Sequence, residues 1–415
     1  MSKHSTLAID GGRPVRSEPM PARGLIGQEE KSAAMQVFDE AIASGNAFGY
    51  GGAHEQQYEK DFARFMGGGF ADGVNSGTNA VYCALGGLQL DALSEVIVPA
   101  ISDPGGVMPV AMLGCVPVVA DTDPRSYNTS AEQIAPMITE RTRAIVVAHI
   151  SGEPADMDPI MELARAKDLY VVEDVAQSPG AKYKGRLVGT MGDIAAFSTM
   201  FGKHCCTGGQ GGVVYTQNQE LHWQARRFAD RGKPFNLDTT GNVVAGLNCN
   251  LNDLSAAIGS AQLKKLPTVI SGRRRVGETI KERLKGSAAL SVGWQVPETE
   301  CVYWFLRVRL KADAIRVDKA TFCDALAAEG IPVNPSYRHI PAEAPWFRNK
   351  AVFGRSGFPW NCSDYTGPRD PQYRMDNAIR ATEEHFNIGI HENYGPRDID
   401  DVLAVLEKVE RAYLR

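Results

Sequence analysis

Between residues 95 and 216, short runs of apolar and β-branched residues alternate with stretches of helical character. The runs are 95–99, 117–120, 144–150, 169–173, 195–198 and 212–215. Several are apolar throughout, without an in–out alternation, which is the pattern of strands covered on both faces. The stretches 79–88, 104–113 and 157–166 between them carry helical periodicity. Strand, crossover helix and strand in repetition predict a mostly parallel α/β sheet. Open sheets of this kind bind ligands beyond the carboxyl ends of their strands, so the residues that follow each run are where chemistry is to be sought.

Helical patterns at 29–43 and 54–65 precede this region, behind a polar, Pro/Gly-marked arm over 1–30. After Asn252 the pattern changes. A helical region runs to about residue 284, broken near Pro267, followed by a strand with aromatics at 302–310 and a helix at 319–329. Strong helical periodicity returns at 398–413. The expected division is a large α/β domain with its arm over 1–265 and a smaller α+β domain over 266–415. The Pro-, Gly- and aromatic-rich stretch 345–373 reads as a structured loop, longer than a connection needs to be.

Composition narrows the class. With 43% hydrophobic and 22% charged residues, bulk disorder is excluded. Lys and Arg total 44 against 49 Asp and Glu, and the net charge of −5 argues against a broad nucleic-acid surface. No window reaches the 18 or so apolar residues of a membrane helix, and residues 1–20 lack the apolar core of a secretory signal. Eight cysteines show no CxxC spacing. Neither structural zinc nor a disulfide framework is expected from them, no metal site is expected, and reduced thiols in a cytoplasmic setting are.

Three segments carry candidate chemistry. Ser76-Gly77-Thr78 opens a helix and offers hydroxyls and free backbone N–H groups at the positive end of its dipole, a ready anion site. Glu173-Asp174, followed by Gln177, ends an apolar strand and places a carboxylate where it can hold a cationic ring nitrogen or a metal. Lys203 lies between the strand ending at Phe197-Ser198 and the cluster Gly208-Gly209-Gln210-Gly211-Gly212. A lysine there can form a Schiff base with an aldehyde cofactor, and the glycines let backbone pass close to it. Singly, each has an ordinary explanation: a helix cap for the first two, a solvated charge for the third. Together they are the set that pyridoxal phosphate requires.

In this order the segments resemble the DegT/StrS family of pyridoxal-phosphate-dependent sugar and cyclitol aminotransferases. The resemblance runs from about residue 20 to the C-terminus. It rests on Ser-Gly-Thr at 76–78, Val-Ile-Val-Pro at 96–99, Glu-Asp-x-Ala-Gln at 173–177, Gly-Asp at 192–193, Phe-Ser at 197–198, Lys203 and Gly-Gly at 211–212. Gly246-Leu247-Asn248 and Asn252-Asp253 complete it. It implies a fold-type I architecture, like that of aspartate aminotransferase. Lys203 is then the Schiff-base lysine and proton shuttle, Asp174 the partner of the pyridinium nitrogen, and Gln177 a hydrogen-bonding group near the phenolic oxygen. Gly77, Thr78 and Ser198 hold the phosphate. Asn248 matches a residue that reaches the phosphate of the partner subunit, so a homodimer with sites at its interface is implied.

The same resemblance implies transfer of an amino group from glutamate or glutamine to a keto sugar or cyclitol. A related sugar-dehydratase branch carries His where Lys203 stands, and here His204 comes one residue later. The Gly202-Lys203 pair resembles the cyclitol aminotransferases and the aminohydroxybenzoate synthases. One position departs from the pattern. Relatives place a ring-stacking aromatic after Val-Pro-x-x-Thr, and here Asp103 stands in its place, followed by Pro104-Gly105-Gly106. Ring stacking must then come from elsewhere or be replaced by a polar contact. That departure keeps open a pyridoxal-phosphate dehydratase or eliminase acting on a keto sugar, and beside it a catalytically silent, cofactor-binding regulator. Candidate substrate contacts are Tyr50, Asp103, His149, Arg338, His339 and His391, with Arg231 and Tyr337 as further possibilities in the same regions.

Overall fold

The computed structural model describes residues 6–337 and 339–415. Seven strands form the main sheet: β1 (Phe70–Val74), β2 (Glu95–Pro99), β3 (Val116–Ala120), β4 (Thr142–Ala148), β5 (Tyr170–Asp174), β6 (Ile194–Ser198) and β7 (Gly212–Thr216). Their order is β1-β7-β6-β5-β4-β2-β3. From β6 to β3 all neighbours are parallel, while β7 runs antiparallel to both β6 and β1. Every residue of β2, β3, β6 and β7 is buried, which is why their sequences read as unbroken apolar runs. The strand at 70–74 escaped the sequence reading. Its Asp72 and Gly73 are poor strand formers, and pairing with β7 overrides that preference.

Helices cover both faces: α1 (Gln28–Ser44), α2 (Ala53–Phe65), α3 (Gly77–Gly87), α4 (Met157–Ala166), α5 (Gln219–Ala229) and α6 (Asp253–Arg283). Helix α6 corrects the expected break at Pro267. It runs 31 residues without interruption, with Pro267 inside it. Pro267 is exposed, so its ring projects away from the packed side of the helix, while Leu263, Leu266 and Val269 bury the opposite side and hold the helix together. A boundary between 265 and 266 falls within this helix.

A second, antiparallel sheet combines β8 (Leu290–Val292), β9 (Leu306–Leu310), β10 (Val333–Asn334) and β11 (His385–Ile388), in the order β8-β9-β11-β10. Helices α7 (Lys319–Ala328) and α8 (Pro396–Tyr413) share its core, built from Leu306, Val308, Phe322, Phe386, Val402 and Leu406. The stretch 345–373 does not join that core. Phe347, Trp360 and Tyr365 pack with Val96 and Val98 of the main sheet, so this long loop returns to that sheet.

Candidate active site

The cavity lies beyond the carboxyl ends of β4, β5 and β6, where a parallel sheet leaves strand-end residues facing solvent. At its base Ser76 caps α3, its Oγ accepting the Asn79 N–H at 3.1 Å. Helix geometry leaves the N–H groups of Gly77 and Thr78 without an acceptor inside the helix, and both residues line the cavity beside Ser198. A Cβ on Gly77 would lie 2.6 Å from Cβ of Ser198, so only glycine keeps this anion cradle open.

Asp174 ends β5 and is buried, with Oδ1 accepting the Ala176 N–H at 3.0 Å. Burial pushes its carboxyl up, against the pull of that N–H and of Lys203. A cationic ring N–H would complete it. Glu173 has a separate task. It is fully buried and accepts N–H groups from Gly189 at 2.7 Å, Met191 at 2.8 Å and Gly192 at 2.6 Å. Burial works against the charge of Glu173, but the bond from His149 and these N–H groups hold the carboxyl below its ordinary value.

Lys203 sits in a loop closed by backbone bonds from Thr199 to Gly211 at 2.8 Å and from Phe201 to Gly209 at 2.8 Å. The side chain is only 7% exposed, and burial pulls its amine down to about 8, with Asp174 and Asp103 pulling it back up. An amine poised there can act as both base and acid near neutral pH. His204 turns away from the cavity: its Nε2 lies 3.0 Å from the carbonyl of Val302 in the core. Gln177 is clamped at the wall. Its Oε1 accepts the Ser151 N–H at 2.8 Å, and its Nε2 donates to the Tyr337 hydroxyl at 2.7 Å.

Asp103 lines the rim, exposed, with Oδ1 accepting the Gly105 N–H at 3.0 Å. The two glycines after it press inward. A Cβ on Gly105 would lie 2.4 Å from Thr78 Oγ1, and one on Gly106 2.7 Å from Asp174 Oδ2. The segment that departs from the family pattern therefore lies directly against the cradle and the carboxylate.

The structure brings Lys203, Asp174, Gln177, Ser198, Gly77, Thr78, Asp103 and His149 to one cavity. His149 is nonetheless a satisfied core residue. The Ala155 N–H donates to its Nδ1 at 3.0 Å, which leaves the proton on Nε2, 3.1 Å from Glu173. With both nitrogens committed, it has none to offer a substrate. Tyr50 lies outside the cavity of its own chain, exposed, with its hydroxyl bonded to Arg231 and to Lys233 at 3.1 Å. His391 also lies outside, its Nε2 2.8 Å from the Pro21 carbonyl, where it ties down the N-terminal arm. His339 is exposed and contributes its carbonyl, which accepts the Ser102 N–H at 3.0 Å. Arg338 lies outside the described residues. Asn248 is exposed and does not line its own chain's cavity; its Oδ1 accepts from Asn250 Nδ2 at 2.7 Å. Sequence reasoning missed Trp304, whose indole forms the wall facing Lys203 with its centroid 3.9 Å from Nζ. The only signal was the aromatic character of the 302–310 run.

Comparison with known proteins places this geometry. The model of the DegT/DnrJ/EryC1/StrS aminotransferase family matches residues 28–407. GDP-perosamine synthase of Caulobacter vibrioides is 34% identical, over 69% of this chain and 79% of its own. The L-glutamine:2-deoxy-scyllo-inosose aminotransferase of Streptomyces fradiae is 32% identical, over 84% and 86%. Among solved structures, an aminotransferase from Psychrobacter cryohalolentis superposes with a TM-score of 0.81 at 27% identity, covering 95% of this chain and 99% of that one. A helix N-terminus, a buried carboxylate and an enclosed lysine share one cavity, and the chain belongs to the DegT/DnrJ/EryC1/StrS aminotransferase family, which is pyridoxal-phosphate-dependent.

Proposed function

We propose that this protein is a pyridoxal-phosphate-dependent transaminase that moves an amino group from glutamate or glutamine to the keto group of a sugar or cyclitol. The observation that carries the reading is the enclosed Lys203 amine, facing Asp174 across a cavity whose floor is the N-terminus of α3. The names of relatives, a perosamine synthase and a glutamine:inosose aminotransferase, supply the acceptor class.

When bound, the cofactor supplies an electron sink that acidifies the carbon bearing the amino group. The protein does the rest. Gly77, Thr78 and Ser198 receive the phosphate. Asp174 keeps the ring nitrogen protonated. Gln177, held by Ser151 and Tyr337, presents its amide at the wall. Lys203 Nζ takes the proton from the donor's α-carbon and, once protonated, returns it. His204 is turned into the core, so the described cavity wall holds no histidine in the role the dehydratase branch gives it; this favours transamination over elimination.

A homodimer belongs to the same proposal. Met35, Phe38 and Ile42 on α1, with Phe201, Leu237 and Leu247, are large apolar side chains left exposed on one chain. Asn248, beside Leu247, is then free to serve the partner's phosphate site. A large lobe over 1–265 and a small one over 266–415, sharing α6 as a spine, and a cytoplasmic location consistent with eight free cysteines complete it.

The test is spectral and covalent. Borohydride should fix the cofactor of the holoenzyme to Lys203, and glutamine or glutamate should convert the bound cofactor to its amine form. A peptide map with Lys203 unlabelled ends the proposal.

A further inference from the structure

Trp304 precedes β9 and reaches from the small sheet to the lysine loop. Its backbone N–H donates to the Ser151 carbonyl at 2.9 Å, and its indole N–H to the Gly202 carbonyl at 3.3 Å. The turn below leaves no slack: a Cβ on Gly152 would lie 2.4 Å from the Tyr303 nitrogen. The indole is thus fastened to the residue immediately before Lys203, with Nζ over its face, 3.9 Å from the centroid. An ammonium in that place is held by the ring quadrupole, and more firmly where water is excluded. Among the described residues lining the cavity, Trp304 is the one Phe, Tyr or Trp.

We propose that Trp304 is a positioning residue for Lys203, its indole face being the seat on which the lysine's amino group rests whenever no covalent bond to the cofactor holds it. The indole holds a cation without itself carrying charge, so the carboxylates of Asp174 and Asp103 stay available. The titratable groups around the amine are Asp174 at the end of β5, Asp103 on the loop after β2 and His149 after β4, while His204 faces the core. The catalytic meaning of the seat rests on the proposed function; the contact itself is a property of the cofactor-free protein.

The experiment titrates Lys203 in that protein by the pH dependence of its acylation, read on the Lys203 peptide by mass spectrometry. Wild type should titrate near 8. Trp304→Leu keeps an apolar wall without a π-face and should titrate about one unit lower, a tenfold change in protonation, while Trp304→Phe should stay close to wild type. Should the leucine variant not fold, biosynthetic replacement of tryptophan by its mono-, di- and trifluoro analogues weakens the face with little change of shape. Lys203 should then titrate progressively lower with each fluorine. A flat fluorination series, or equal shifts in the leucine and phenylalanine variants, overturns the seat. Borohydride labelling of the loaded wild type separates the two readings. A labelled lysine with a flat series refutes the seat alone, and a graded series without labelling refutes the cofactor reading alone.

Discussion

Replacing Gly77 by alanine should cost the cofactor's phosphate its cradle while sparing the rest of the site. The new Cβ would stand 2.6 Å from Ser198 Cβ, 2.8 Å from its Oγ and 3.2 Å from its Cα. Turning the serine side chain cannot clear the last contact, because Cα is backbone. Ser198 cannot retreat either, since it pairs with Gly212 across the sheet. The first turn of α3 has to move, carrying with it the N–H groups of Gly77 and Thr78. Overpacking of this kind costs roughly 1–3 kcal/mol. If the strain is relieved when α3 backs away from the phosphate, affinity falls about 5- to 150-fold. The assay is a paired titration of cofactor-free protein with pyridoxal phosphate and with pyridoxal. The variant should lose affinity for the first and hardly any for the second. Gly209→Ala is the control in the nearby loop, because its Cβ would meet nothing within 4 Å. Equal losses for both ligands, or unchanged binding of the phosphate form, would refute the cradle.

Further expectations concern charge, support and assembly. Lys203 has its amine lowered in the fold from 10.5 to about 8, so the folded protein binds its proton less tightly than the unfolded chain does. Stability of the cofactor-free protein is therefore penalised fully below pH 8, and the penalty lifts as pH rises towards 10.5. Lys203→Met should accordingly stabilise this form by about 3 kcal/mol at pH 7 and by little at pH 10.5; urea unfolding with the same gain at both pH values contradicts the assignment. Asp174→Asn should retain cofactor through its phosphate but lower kcat by about a hundredfold or more, the worth of a charge-assisted hydrogen bond; near wild-type turnover sinks the ring-nitrogen role. Tyr337→Phe removes the acceptor of the Gln177 amide and should cost about 1 kcal/mol in chemical denaturation, with no loss meaning that the bond is idle. Inactive Lys203→Ala chains mixed and refolded with Asn248→Ala chains should regain activity, since the hybrid dimer holds one site with both residues intact; no recovery argues that each chain serves only itself.

The main sheet was legible because its strands are buried on both faces, and burial writes itself as apolar runs such as 96–98 and 144–148. The candidate site was legible because Gly77 starts a helix, Asp174 ends a strand and Lys203 lies in the loop that follows one, where local sequence reports local geometry. What failed depended on distant contacts. Asp72 and Gly73 hid a strand that β7 recruits. Pro267 suggested a break that packing along α6 does not permit. His149 suggested a pocket ligand, and only the arrival of Glu173 and Ala155 shows it to be saturated. Trp304 is about a hundred residues from Lys203 in sequence, and nothing local in the 302–310 run indicates that it crosses to the lysine.

Helix α6 also limits how the two sheets can move against each other. At 1.5 Å per residue its 31 residues make a rod about 46 Å long, begun against α2 and ended beside the small sheet. Arg273, in its second half, donates to the carbonyls of Tyr303 at 2.8 Å, Trp304 at 3.2 Å and Ile390 at 3.0 Å. No flexible joint interrupts the rod, so closure over a substrate cannot be a bend between residues 265 and 266. It has to be a tilt or slide of the whole lever. Because Arg273 grips the carbonyl of Trp304 while Ser151 and Gly202 hold its two N–H groups, such a tilt would strain the joint that seats the indole against Lys203.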